Sequence, residues 1–173
     1  MDLPSPVEFV LPVRAGPADF AVSRDPQAAL CAGPLGAGLG VCVYDPEARV
    51  GGLLHALLPD SRLDPSRAAR QPGMFLDTGL AALLQNARSL GARAEKLLVC
   101  VAGGGRILEE GADFDIGLQN GAALGRLLDS LGLTIHAAAV AGQASRILQL
   151  NIATGQVRVR LAAGEKDIIL CQP

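Results

Sequence analysis

Aromatic residues are nearly missing from this chain of 173 residues: four Phe, one Tyr and no Trp, 3% in all. Aliphatic side chains and alanine must therefore build the core, and the stacking platforms that hold single-stranded nucleic acid are not expected. An excess of charge is missing too. Lys plus Arg (15) almost match Asp plus Glu (17), for a net charge of −2, which argues against a nucleic-acid partner held by bulk electrostatics. No two cysteines stand as C-x-x-C, so zinc-ribbon and thioredoxin-type motifs are excluded, and no metal or other cofactor is expected. No 18-residue apolar run spans a bilayer. The opening Met-Asp-Leu-Pro-Ser-Pro has neither the basic nor the apolar stretch of a signal peptide. A cytoplasmic protein with free thiols and no membrane insertion is the expectation.

Half of the residues are hydrophobic and 18% are charged, enough apolar material for one domain over 1–173 and too much for disorder. Gly (21) and Pro (11) punctuate the chain in a way that suits short strands. Val7–Val13 reads as a first strand, with Pro12 marking an edge or an end. The run Gln27–Cys31 stops at Gly33-Pro34. After the glycine-dense bend Leu35–Gly40, Val41–Tyr44 is β-prone and ends at the Asp45-Pro46 turn. Gly51–Leu58 is the next apolar run. Residues 60–73 are polar with two prolines and read as a mobile loop.

Leu76, Leu80, Leu83, Leu84, Ala87 and Leu90 then recur at helical spacing, which predicts a helix over Phe75–Leu90 ended by Gly91. Lys96–Ala102 is a buried strand running into Gly103-Gly104-Gly105. Ile116, Leu124, Leu127, Leu128 and Leu131 define a second helix ended by Gly132. Asn120 falls on its apolar face. A buried amide there needs hydrogen-bond partners, and the plain reading is that it ties down a neighbouring loop. Thr134–Val140 is a strand or a strand pair. Around Ala153–Gln156, Ile147–Leu161 reads as a hairpin: Val157, Val159 and Leu161 alternate with Arg158 and Arg160, leaving one face solvated. Asp167–Cys171 adds a final strand. The order lacks regular βα alternation, so the fold class is α+β: a strand-rich sheet core covered by two main helices.

The chemistry-bearing inventory is four cysteines (Cys31, Cys42, Cys100, Cys171) and two histidines (His55, His136). Gly36–Gly40 invites a dinucleotide reading, but a strand follows where a helix N-terminus is needed, and no G-K-[ST] accompanies Gly103–Arg106. His55 lies inside an apolar run, where a hydrogen-bonded core residue is the plain reading. It becomes a general base only if a thiol or hydroxyl from another strand comes within reach. His136 has the same context and no stronger claim.

Leu35-Gly36-Ala37-Gly38-Leu39-Gly40-Val41-Cys42-Val43-Tyr44-Asp45 resembles the L-G-S-C-V-A-V-C-L-Y-D signature of the CheD family, chemoreceptor glutamine deamidases of bacterial chemotaxis. Gly51–Pro59 is similar to that family's G-G-M-x-H-x-x-L-P, and Phe75-Leu76-Asp77 to its Y-x-D. Gly103-Gly104 resembles the F-G-G-A turn, Ile116–Asn120 resembles I-G-x-R-N, and Ala141–Arg146 is a worn G-G-x-x-G-R. Thr154-Gly155 falls at the family's hairpin turn. The resemblance runs over residues 7–161.

It implies a cysteine-hydrolase fold of layered sheets flanked by helices, whose thiolate attacks a glutamine side-chain amide, releasing ammonia and leaving a thioester that water cleaves. The implied partners are a chemoreceptor's cytoplasmic region or a CheC-type phosphatase. The activating histidine maps to His55. The nucleophile maps to Gly38 and the orienting threonine to Ala32, while an acidic pair maps to Ala138 and Ala139. With glycine in the nucleophile slot, the expectation is a degenerate deamidase that keeps scaffold and binding. The alternative is an active protein-glutamine deamidase using a displaced thiol, Cys31 or Cys42, with His55.

Overall fold

The computed structural model describes residues 10–105, 115–161 and 167–173. In chain order the strands are β1 (Leu11–Ala15), β2 (Asp19–Ser23), β3 (Ala28–Leu35), β4 (Leu39–Asp45) and β5 (Val50–Ala56). Helices α1 (Pro65–Arg70) and α2 (Leu76–Ser89), strand β6 (Leu98–Gly103) and helix α3 (Ile116–Leu131) come next. Strands β7 (Ile135–Val140), β8 (Arg146–Asn151), β9 (Val157–Leu161) and β10 (Ile168–Cys171) complete the order. They form two five-stranded sheets, β1-β3-β8-β9-β10 and β2-β5-β4-β6-β7. The α+β expectation stands, with three layers: sheet, sheet, helices.

The layering follows from which face of each strand is apolar. On one face of the second sheet, Leu39, Val41, Val43, Leu54, Val99 and Val101 meet Leu76, Leu80, Leu83 and Ala87 of α2 and Leu124 and Leu128 of α3. On its other face, Cys42, Tyr44, Leu53, Cys100 and Ala102 meet Leu30, Ala32, Leu148, Leu150, Val157 and Val159 of the first sheet. Strand β4 is therefore covered on both sides, and all seven of its residues are buried. That is why it reads as an unbroken apolar run rather than an alternation. Each fully buried leucine in these layers contributes about 1.5–3 kcal/mol relative to exposure.

The predicted helices form with the expected limits. Asp115 caps α3 by accepting from the Leu118 amide, and Gly132 ends it in the left-handed region at φ +67°. Helix α2 ends at Ser89, with Leu90 capping and Gly91 at φ +107°. The β8–β9 hairpin has Val157 and Val159 buried and Arg158 and Arg160 exposed, and β10 pairs with β9.

Four expectations need correction. The strand assigned to 7–13 runs Leu11–Ala15 in its described part; residues 7–9 lie outside the described residues. Gly33-Pro34 does not end the third strand. A register shift between Ala32 and Leu35 lets this pair pass through the ladder with β8, so the missing proline amide costs no strand. Asp19–Ser23 forms β2, which the sequence reading left out. Residues 60–73 are not a plain loop but contain α1 and two single 3₁₀ turns. Asp64 caps α1 ahead of Pro65, and Asp77 of α2 accepts from the Ser61 amide and hydroxyl at 3.0 and 2.5 Å. Thr134–Val140 resolves into the single strand β7.

Candidate functional site

His55 is the penultimate residue of β5, with Gly40 opposite on β4 and Asp19 opposite on β2. Strand alternation turns its side chain toward the inter-sheet core, the same face as Leu53. It is 2% exposed, and its Nδ1 has no hydrogen-bond partner. Burial pushes its pKa below the ordinary 6.5, because a low-dielectric site disfavours the imidazolium. The buried ring is held neutral. Apolar side chains fill the space over Gly40: Leu35 and Leu148 come within 2.8 and 3.0 Å of where a Cβ on Gly40 would stand. The Asp19 carboxylate accepts from the Phe20 amide.

Gly38 sits in the bend between β3 and β4, beside the end of β5. A Cβ built on it would lie 2.7 Å from the Ala56 carbonyl oxygen and 3.2 Å from Leu57 Cδ2. The fold thus brings the Gly38 slot within one residue of His55, but backbone occupies the volume that a side chain there would need. Hydrogen bonds hold this closed arrangement. The Gly104 amide donates to the Gly38 carbonyl at 2.9 Å, and the Gly105 amide to the Gly36 carbonyl at 2.8 Å. Gly117, in the first turn of α3, presses on the same turn: a Cβ on it would fall 2.5 Å from the Gly104 carbonyl.

Asn120 closes the arrangement from the helix layer. Its Nδ2 donates to the Ala37 carbonyl and to the Leu57 carbonyl, both at 3.0 Å, while Oδ1 has no partner. The residue is fully buried. It is the loop tie that its place on the apolar face predicted, and it ties two segments at once, those carrying Gly38 and His55.

The thiols are distributed otherwise. Cys31 alternates with the inward-facing Leu30 and Ala32, so it lies on the outer face of the first sheet, where Gln149 Nε2 is 3.9 Å from its sulfur. That places it on the opposite side of its strand from the core that His55 faces. Cys42 shares the face of His55 but is displaced two positions along the ladder, opposite Leu53. Burial, foremost, and the neighbouring Cys100 and Cys171 hold its thiol well above the ordinary range. Ala32 is buried on the inner face, opposite Leu148. Ala139 packs toward the inter-sheet core, and Ala138 lines a cleft of about 680 Å³ between α3 and β7. His136 accepts from the Val99 amide through Nδ1 at 3.1 Å, an attachment between neighbouring strands.

Sequence reasoning missed the paired glycine contacts and Asp19, whose position opposite His55 depends on a strand that it did not assign. A reachable signal was the recurrence of glycine at 38, 104 and 117, where backbones touch.

Two facing sheets with helices on one side, and a buried neutral histidine beside a glycine bend, define a layered α+β protein. Comparison with known proteins gives the family. The family model described as CheD chemotactic sensory transduction matches residues 57–161. A probable chemoreceptor glutamine deamidase CheD of Solibacter usitatus is 36% identical over 157 residues, 91% of this chain and 93% of that protein. A second, CheD 2 of Anaeromyxobacter dehalogenans, is 40% identical over 148 residues, covering 86% and 93%. The chemoreceptor glutamine deamidase CheD of Thermotoga maritima is 31% identical over 153 residues, covering 88% and 94%. The chain belongs to the CheD family. Among the described residues, no helix is long and apolar enough to cross a membrane.

Proposed function

We propose that this chain is a degenerate CheD protein that works in the cytoplasm by binding, without hydrolysing glutamine amides. Its partner would be the cytoplasmic region of a chemoreceptor or a CheC-type phosphatase, and residues 1–173 would act as one domain. The observation that carries the reading is at Gly38. The slot that resembles the family's nucleophile has no side chain and no room for one, with the Ala56 carbonyl 2.7 Å from the Cβ position. Acyl transfer of this kind needs a thiolate within hydrogen-bond reach of its base. Cys31 faces the other side of its sheet, and Cys42 is fully buried with its proton held firmly. In this reading His55 keeps the family's position without its chemistry, and Ala32 adds no hydroxyl to orient a thiol.

The test is a receptor cytoplasmic fragment carrying glutamines at its modification sites, incubated with the full chain and followed by peptide mass spectrometry. No glutamine should become glutamate, while the fragment or a CheC-type protein should be retained by the immobilised chain, and retention should survive His55→Gln. A glutamine-to-glutamate conversion lost in Cys31→Ser or Cys42→Ser, and in His55→Gln, would overturn the proposal and establish the displaced-thiol deamidase.

A further inference from the structure

The three layers leave one sheet face uncovered. The second sheet has α2 and α3 on one side and the first sheet on the other. No helix packs on the outer face of the first sheet among the described residues. The five strands of that sheet carry four arginines and no carboxylate, and three of the arginines are on the outer face. Register sets Arg14 beside Cys31, Cys31 beside Gln149 and Gln149 beside Arg158, one row across β1, β3, β8 and β9. Arg160, two residues beyond Arg158, shares the face. Three strand spacings, about 14 Å, separate Arg14 from Arg158. The floor between them is uncharged and half-buried: Ala29, Cys31, Ile147 and Gln149.

The positive charge on this face is open. Arg14 stands exposed on the edge strand β1, and Arg158 donates to the neutral Gln156 side chain. Among the described residues only Arg160 of the three has a carboxylate partner, Asp167, at 2.7 and 3.1 Å. The chain as a whole carries −2, so the excess is local.

We infer that this face docks an acidic helix of a partner protein, laid along β3 and β8 between Arg14 on one side and Arg158 and Arg160 on the other. A helix with its side chains is about 10–12 Å across, which fits the space between the two flanks. An apolar stripe on the helix covers the uncharged floor, and glutamates on both borders of that stripe meet the arginines. Such pairs at a rim select the partner and its orientation. A second copy of this chain does not supply the helix. Helix α1 has no acid, α2 has only Asp77, which is held by Ser61, and α3 has only Asp129. Nucleic acid fits less well, since the five strands offer no aromatic side chain for stacking. The inference goes beyond the proposed function, because the face is turned away from the inter-sheet core and an active deamidase would carry it equally.

Cys31, in the middle of the floor, reports occupancy. The full, folded chain is titrated with a stapled helical peptide of about 20 residues, an alanine–leucine stripe bordered on both sides by glutamates, and binding is followed by anisotropy. With peptide at about ten times its Kd, iodoacetamide should alkylate Cys31 about tenfold more slowly. Cys171, on the inner side of β10 opposite Val157, should react at its usual rate. Tryptic peptides 25–49 and 167–173 separate the two, and fragmentation distinguishes Cys31 from the buried Cys42. Salt at about 0.5 M should release the peptide. Arg158→Gln should weaken binding about fivefold, the most one exposed ion pair gives. A double variant, Arg14→Glu with Arg158→Glu, should lose the glutamate peptide, bind its lysine-bordered twin, and keep the parent's urea midpoint. Equal binding of the glutamate and lysine peptides, binding that leaves Cys31 unprotected, or no binding would each overturn the inference. So would equal affinity for a proline-broken glutamate peptide, which has the charge without the helix, or tighter binding of a DNA duplex. If a receptor fragment is still retained while the peptide fails, the docking face falls and the proposed function stands.

Discussion

Adding one methyl group at Gly38 and one at Gly125 should move stability in opposite directions. Both are glycine-to-alanine changes, so the unfolded chain loses about the same freedom in each. In the folded chain they differ. The Gly38 Cβ position is 2.7 Å from the Ala56 carbonyl oxygen, whereas at Gly125, inside α3, nothing lies within 4 Å. An ordinary carbon contact needs about 3.5 Å, so the bend at Gly38 must retreat by roughly half an ångström or more. It cannot do so freely, because its carbonyl is held by the Gly104 amide at 2.9 Å. Forcing atoms into a packed site costs about 1–3 kcal/mol. Gly125→Ala instead adds helix propensity worth about 0.5–1 kcal/mol. For a chain of this size each kcal/mol shifts Tm by about 2–4 °C. Urea unfolding at constant m-value reads both variants directly. A Gly38→Ala variant as stable as the parent would refute the closed-slot argument, and with it the main support for a lost nucleophile.

Other outcomes follow from the same contacts. Asn120→Ala removes two buried hydrogen bonds to the Ala37 and Leu57 carbonyls and should cost about 2–4 kcal/mol by urea denaturation, the loss being compounded by carbonyls left unpaired. His55 has a folded pKa below its unfolded one, so the unfolded chain binds more protons as the pH falls. Its share of stability is complete above about pH 6.5 and is lost as pH falls through the folded value; His55→Gln should flatten the stability profile there, and an unchanged slope would contradict a buried neutral ring. Asp45 is pushed upward by burial, but the Ala48, Arg93 and Glu47 amides outweigh that and lower its pKa. Its contribution is present above the unfolded value near 3.8 and lost as pH falls through the lower folded one, so Asp45→Asn should weaken the chain at pH 7 more than at pH 2 in urea titrations. Iodoacetamide should label Cys31 ahead of Cys42, which reacts only through unfolding, a ranking read by peptide mapping.

Where periodicity was strong, the sequence was sufficient. Leucines at helical spacing placed α2 and α3, and the valine–arginine alternation placed β9 with its solvated side. Strand β2 escaped because Asp19–Ser23 is five residues with a polar end, and only pairing with β5 makes it a strand. The helical turns of 60–73 carried a local signal in Asp64-Pro65, a capping residue ahead of proline. Their attachment through Asp77 is tertiary and leaves no local trace. At the site, the family resemblance pointed to His55, Gly38 and Ala32 by position, and the tie made by Asn120 followed from its place on the apolar face of its helix. Which way each cysteine faces was not legible, since Cys31 and Cys42 take opposite faces only once two sheets are stacked. Closure at Gly38 was likewise invisible: it comes from β5 and α3 arriving at one bend.

The strand order also dictates a sequence of assembly. The second sheet is centred on β4 and β5, joined by a short turn, with β6 added from the next stretch of chain. The first sheet draws β1 and β3 from the beginning and β8, β9 and β10 from the end. During synthesis, β3 leaves the ribosome with one edge paired to β1 and the other waiting for β8, whose pairings span most of the chain. Long-range pairings of this kind slow folding and leave a strand edge open to the wrong partner. The central hairpin and α2 should be protected from hydrogen exchange early in refolding, and β3 only when β8 closes over it.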